Sequence, residues 1–271
     1  MTALTALDVQ VTQSEQKPDL NRFIATLGGL SKALLDVDRA ATPGRVPRPR
    51  WLVDDLRHEG EHFHVQLTAA PVKKRDIESL LQPVTALVAG IRELREQPEL
   101  PPFYSETTID RLIVVAKPRE GIQEVALASV NGQVGPYEAL DEQVLENARS
   151  AVKEAERSIG SITGTLTGLK TTKQGLRIAI HDPVARRTIN GTATLPLAED
   201  LRLTWNHRCI LRGRIARNLV GQALRISVTN VERLPDTREE RDIARQLLGA
   251  DPNWTGGLGV DEHMREVRRH G

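Results

Sequence analysis

The sequence predicts an α+β protein: a mixed α/β N-terminal region, a five-strand β module, and a helical and extended C-terminal tail. Three observations carry this reading. Between Gly160 and Leu234, apolar residues recur with period two in five short segments bounded by Gly, Pro and Asn, the pattern of half-buried strands. Before Gly160, apolar stripes at helical spacing alternate with short period-two runs. After Pro235, apolar positions thin out and glycines gather. The expected boundaries are 1–156, 157–234 and 235–271.

In the first region, Leu7, Val9 and Val11 alternate as a short strand. Leu20, Phe23, Ile24, Leu27, Leu30, Leu34 and Leu35 then recur at helical spacing, with Asp19 as the N-cap. The segment AATPGRVPRPR, Ala40 to Arg50, is a loop rich in Pro and Arg, and its Arg45, Arg48 and Arg50 either extend a basic surface or stand in a solvated loop. Phe63, Val65 and Leu67 alternate as a strand. A long helix is expected over Arg75 to Arg95, a short one over Glu106 to Ala116, and a strand over Ile122 to Ala128. Leu140 to Glu156 reads as a helix with Val144, Leu145, Ala148 and Val152 on one face. No internal repeat and no long low-complexity segment interrupts this order.

In the β module, Ile162, Gly164, Leu166 and Gly168 share one face of the first strand. Leu176, Ile178 and Ile180 share one face of the second, which ends at the turn pair Asp182-Pro183. Thr188 to Ala193 is a shorter third strand. A helical or turn segment follows around Leu197 to Leu201. Cys209, Leu211, Gly213 and Ile215 mark the fourth strand, Asn218 to Gly221 a turn, and Leu224, Ile226 and Val228 the fifth. Glycines inside strands indicate the bends and bulges that a small closed barrel needs. The phrases GSITGTLTGL, GLRIAIHDP, ILRGRIARN and ALRISVTNVERL, in the order strand, strand, strand, helical link, strand, strand, resemble the OB-fold, a Greek-key β-barrel. That resemblance covers Gly160 to Leu234 and implies binding of oligonucleotides, oligosaccharides or protein partners.

Charge separates along the chain. Gly160 to Leu234 holds 12 Lys plus Arg against 4 Asp plus Glu, a net of +8. The whole chain has 37 against 36, which leaves 25 against 32 elsewhere, a net of −7. Parity places Arg177 and His181 opposite the apolar face of the second strand, Arg212 and Arg214 opposite that of the fourth, and Arg225 opposite that of the fifth. Lys170 and Lys173 fall in the first hairpin loop. Lys170, Lys173, Arg177, Arg212, Arg214 and Arg225 are the expected contacts for nucleic acid or another polyanion, with salt-sensitive, sequence-tolerant binding. The competing reading is a solvated outer face. Single-strand sites usually add aromatic stacking platforms, but aromatics are 3% of the chain and Trp205 stands alone in the module. A backbone-tracking site or a protein-binding surface fits that composition better.

No catalytic residues are expected. The one cysteine, Cys209, forbids an internal disulfide and a cysteine-based zinc cluster, and it reads as a small buried hydrophobe. His62 and His64, with Glu61 and His58 nearby, resemble a fragment of a metal site, but two histidines make a poor zinc site, and a polar strand face explains them. His181-Asp182-Pro183 reads as a turn and not as part of a triad. Gly28-Gly29 lacks the surroundings of a nucleotide-binding turn, and GGLG at Gly256 to Gly259 lacks a phosphate-loop lysine. No metal or cofactor is expected. No apolar run approaches membrane-spanning length, and Met1 to Lys17 does not read as a signal peptide, so no membrane partner and a cytoplasmic location are expected.

In the tail, Thr237-x-x-Glu240 is a capping box before Ile243, Leu247 and Leu248, and the helix ends at Gly249. ADPNWTGGLGV is expected to be extended, and a short helix starts at Asp261. The sparse apolar stripe includes Trp254, Leu258 and Met264, with Arg265, Arg268 and Arg269 on the other side of the last helix; these six are the expected protein-partner contacts. The segment DEHMREVRRHG resembles the C-terminal arms of type II antitoxins. The resemblance implies a second function: an antitoxin-like protein whose tail neutralises a partner nuclease by pairing basic side chains with the carboxylates that hold its metal. The leading expectation is a non-enzymatic protein using a basic barrel face to bind nucleic acid or an acidic protein.

Overall fold

The computed structural model describes residues 5–15, 17–44, 46–73, 75–117 and 121–235. It is α+β, with two separate sheets and five α-helices among the described residues. The chain opens with β1 (Thr5–Gln13), whose Leu7, Val9 and Val11 are fully buried on one face. This strand is central, with β3 (His62–Ala69) antiparallel on one side and β4 (Ile122–Asn131) antiparallel on the other. Around them stand the edge strand β2 (Trp51–Glu59), paired to β3, and the short β5 (Gln133–Val134) and β6 (Glu138–Ala139), both paired to β4.

Helix α1 (Leu20–Ala41) starts where the sequence places it, because the Asp19 carboxylate accepts the free N–H groups of Asn21 and Arg22. Helix α2 (Ile77–Glu96) begins at Asp76, which accepts from the Ser79 N–H. Helix α3 (Glu106–Ala116) begins in a reciprocal cap between Ser105 and Thr108. These helices and α4 (Glu142–Ala151) bury Leu30, Leu34, Leu87, Ile91, Ile109 and Val144 against the Leu7–Val9–Val11 face. Each large apolar side chain buried in this way contributes about 1.5–3 kcal/mol against leaving it in water.

Two elements differ from the sequence expectation. The helix foreseen over Leu140 to Glu156 stops at Ala151. Asn218, distant in sequence, donates from Nδ2 to the Ala151 carbonyl at 2.9 Å, and the Ala155 N–H donates to the Arg217 carbonyl. The chain therefore enters its next strand at Glu156, four residues before Gly160. Strand β2 was not foreseen: in WLVDDLRHE the apolar residues do not alternate, and Leu52, Val53 and Leu56 are exposed on a sheet edge.

The second sheet comprises β7 (Glu156–Thr172), β8 (Gly175–Asp182), β9 (Arg187–Ala193), β10 (Arg208–Arg217) and β11 (Ala223–Arg233), with α5 (Ala198–Thr204) between β9 and β10. The strands hydrogen-bond in the closed order β7-β8-β9-β11-β10 and back to β7. Pairing of β9 with β11 is parallel. Inside lie Leu166, Leu176, Ile180, Leu211, Ile215 and Ile226 among others, so the apolar parity expected of the second and fourth strands holds; in the fifth, Ile226 and Val228 lie inside while Leu224 is buried in the core of the first sheet. Gly213 is required by close approach: a Cβ there would lie 2.0 Å from the Ser227 carbonyl oxygen.

The first strand of this sheet departs from simple alternation. The register of β7 against β8 shifts between Leu166 and Gly168, leaving Thr167 as an extra residue whose hydroxyl donates to the Ala179 carbonyl. Beyond it, Leu169 pairs with Ile178 and packs on the core, while Gly168 pairs with Ala179 and leaves the inner face. Gly168 thus does not share a face with Ile162 and Leu166.

The two sheets are tied together. Asn190 of β9 donates to the Thr107 hydroxyl of α3 at 3.1 Å, and the Gln222 side chain accepts from the Leu100 N–H at 2.8 Å. The loop arginine Arg48 is not solvated. It donates to the Asp38 and Thr42 carbonyls at the end of α1 and pairs with the Asp38 carboxylate, which also holds Arg75 at 2.7 Å. Helix C-termini leave carbonyls without intrahelical partners; Arg48 donates to that of Thr42 and adds a second donor to that of Asp38, which already accepts the Thr42 N–H. Among the described residues, no helix is long and apolar enough to cross a membrane.

Candidate functional site

The outer surface of the closed sheet is where the expected polyanion contacts fall. Lys170, Lys173, Arg177, Arg212, Arg214 and Arg225 are all exposed. Lys170 is not in a hairpin loop but within β7, directly opposite Arg177 of β8. The bulge at Thr167 causes this. Strict alternation from Ile162 and Leu166 would turn Lys170 inward, and the extra residue turns it out beside Arg177. Lys173 sits in the turn between β7 and β8.

The six are not electrostatically equal. Arg212 pairs with Glu232 at 2.9 Å. Arg225 pairs with Glu154 at 3.1 Å and with Glu106 at 3.6 Å. Lys170, Lys173, Arg177 and Arg214 make no ion pair among the described residues. Lys170 and Arg177 are therefore like charges facing each other across a strand pair with no carboxylate within ion-pair distance of either, an arrangement that is itself destabilising.

The first turns of α3 border two clefts at this surface, and the two share Thr107 and Asn190. The first, about 500 Å³, is lined by Lys170 together with Arg39, Arg48, Arg111 and Asp36. Asp36 pairs with Arg111 at 3.0 Å and with Arg39 at 3.4 Å. Burial raises the Asp36 carboxyl above its ordinary value, against the opposing pull of Arg111 and then Arg39. Arg39 and Arg111 thus share the Asp36 carboxylate, Arg48 is held by Asp38, and Lys170 makes no ion pair among the described residues. The second cleft, about 480 Å³, holds Arg177 and Arg225 against Glu106 and Asp110. Glu106 is likewise raised, chiefly by burial, with Arg225 pulling the other way. Sequence reasoning missed Arg39 and Arg111, because they belong to helices distant in sequence from the β module.

His181 is not on the exposed face: it is 9% exposed, and burial lowers its pKa, with Asp182 opposing. Trp205, half-buried, caps the end of α5. Cys209 is buried, and burial pushes its thiol up to about 11.

The histidine-rich strand faces a different chemistry. His62 approaches the Thr12 hydroxyl at 3.2 Å. His64 Nδ1 lies 3.2 Å from the fully buried Asp8 carboxylate, which also accepts from the Tyr137 hydroxyl at 3.0 Å and pairs with Arg57 at 3.4 Å. Burial and then the Asp8 charge push the Tyr137 phenol up to about 12. Among the described residues, no group of three His, Cys, Asp or Glu is arranged to hold a metal ion. Trp254, Leu258, Met264, Arg265, Arg268 and Arg269 lie outside the described residues. No protein family, curated protein or solved structure matches the chain.

Proposed function

We propose that the chain is a non-enzymatic binding protein that holds the backbone of a nucleic acid on the outer face of an OB-like Greek-key barrel. The order β7-β8-β9-β11-β10, the parallel β9–β11 pair and a helix between the third and fourth strands support the OB-like reading. In such barrels the face of the second and third strands is a common binding surface, and here that face borders both clefts.

The observation that carries the functional reading is the Lys170–Arg177 pair. Two cations directly opposite one another, neither in an ion pair, are unfavourable in the free protein and become favourable when a phosphate lies between them. Arg39 and Arg111 in the neighbouring cleft extend the track. The scarcity of aromatics suits recognition of phosphates more than base stacking.

Anisotropy of a fluorescent single-stranded oligonucleotide tests this. The double variant K170S/R177S should bind about tenfold more weakly or worse at low salt, while R212S, whose arginine already has Glu232, should bind nearly as the parent. The double variant should melt no lower than the parent, because it removes a repulsion. Equal affinity of parent and double variant would remove the basis for the proposal.

A further inference from the structure

At one end of the closed sheet, a separate cavity of about 280 Å³ lies between the first half of β7, the β8–β9 turn and the β10–β11 loop. Its lining includes Ser161, Thr163, Asp182, Arg187, Arg217 and Gln222, and it shares no residue with the clefts beside α3. Arg187 is only 8% exposed. Its Nε is buried without a hydrogen-bond partner, and the side chain makes no ion pair among the described residues. A guanidinium this buried without an ion pair is costly, and Asp182, its cross-strand neighbour, does not pair with it.

The surroundings show that this is built in. The β8–β9 turn is fixed by the Asp182 carboxylate, which accepts from the Val184 and Ala185 N–H groups at 2.9 and 3.2 Å. Arg186 is held at a φ of 50°, a conformation that a non-glycine residue seldom adopts, and its carbonyl accepts from the Phe103 N–H at 2.7 Å. The turn that orients Arg187 is therefore clamped from both sides. Arg187 also borders a second cavity carrying Glu93 and Glu99, but it pairs with neither. Burial lowers its pKa, the Asp182 charge opposes this, and the like-charged Arg217 lowers it further; both residues line the first cavity. Asp182 is already engaged by two backbone donors, and Arg217 uses one guanidinium nitrogen on the Gly221 carbonyl at 2.8 Å.

We propose that this cavity is an oxyanion site, with Arg187 as the principal ligand and Arg217 as the second, taking a phosphate group or a carboxylate. The planar guanidinium fork matches either oxyanion in bidentate fashion. Ser161 and Thr163 supply hydroxyl donors at the rim. The cavity is independent of the Lys170–Arg177 surface, so either assignment can fail without the other.

The test uses the full chain, with inorganic phosphate and acetate as probes, each read against chloride at matched ionic strength. Phosphate or acetate should raise the melting temperature of the parent saturably, and R187M should respond to neither, with at least about tenfold weaker binding by calorimetry. The probe that acts tells phosphate from carboxylate. Without either probe, R187M should be at least as stable as the parent, since it removes a buried unpaired charge; an arginine with a purely structural role would make R187M less stable. No saturable response in the parent, or an equal response in R187M, overturns the site. Should R187M fail to fold, R217Q decides: weakened probe binding sustains the site, and unchanged binding overturns it.

Discussion

Arg187 and Lys170 illustrate what a single position can and cannot disclose. The sequence marks both as basic residues in a β module, but neither the buried setting of Arg187 nor the outward turn of Lys170 can be read from period-two alternation. Burial without a partner is a property of three-dimensional neighbours. Cys209, by contrast, was legible: an apolar neighbourhood at a strand start predicts a buried thiol. Because its pKa is pushed up to about 11, the thiolate is scarce at pH 8. Alkylation by iodoacetamide at pH 8 should therefore be slow in the folded protein and rise sharply in denaturant; equal rates would contradict the burial. Two glycines give a sharper contrast. Gly213 sits against the Ser227 carbonyl, so G213A should destabilise by more than about 2 kcal/mol through overpacking. Gly28 lies inside α1 with open space around its Cβ position, so G28A should stabilise by up to about 1 kcal/mol. Chemical denaturation of both variants checks the pair.

At the scale of elements, caps and periodicity carried most of the information. Asp19 begins α1 as foreseen, and D19A should lower stability by about 1 kcal/mol in denaturant titrations, since two backbone N–H groups lose their acceptor. No measurable loss would mean that packing alone sets that helix end. Strand β3, helices α2 and α3 and the five strands of the closed sheet were recognisable because each shows one buried face to its neighbours. Strand β2 escaped because an edge strand with little burial keeps no alternation. The end of α4 escaped because Asn218, sixty-seven positions away, supplies its terminal hydrogen bond. The glycines foretold bulges in this module, but not that Thr167 is the extra residue in β7, which decides on which face Lys170 stands.

For the whole molecule, the α+β class and the separation of charge were legible from composition and pattern. The clefts beside α3 were not, since they join residues of α1, α3 and the closed sheet. Global stability should also carry a signature of the Asp8–Tyr137 contact. The Tyr137 phenol is raised to about 12 from an ordinary value of 10, so the folded state retains a proton that the unfolded chain releases. The associated stability is complete below pH 10 and declines as pH rises toward 12. Y137F should flatten that alkaline decline in melting temperature; an unchanged slope would place it on other groups, foremost the buried Tyr104, whose phenol is also raised by burial.

The most direct test of the central claim is the salt dependence of oligonucleotide affinity in the parent protein. If Lys170, Lys173, Arg177 and Arg214 meet four phosphates, the logarithm of the association constant should fall linearly with the logarithm of salt concentration, with a slope of about −3 for a single strand. Affinity that is weak at low salt and indifferent to added salt would contradict the account.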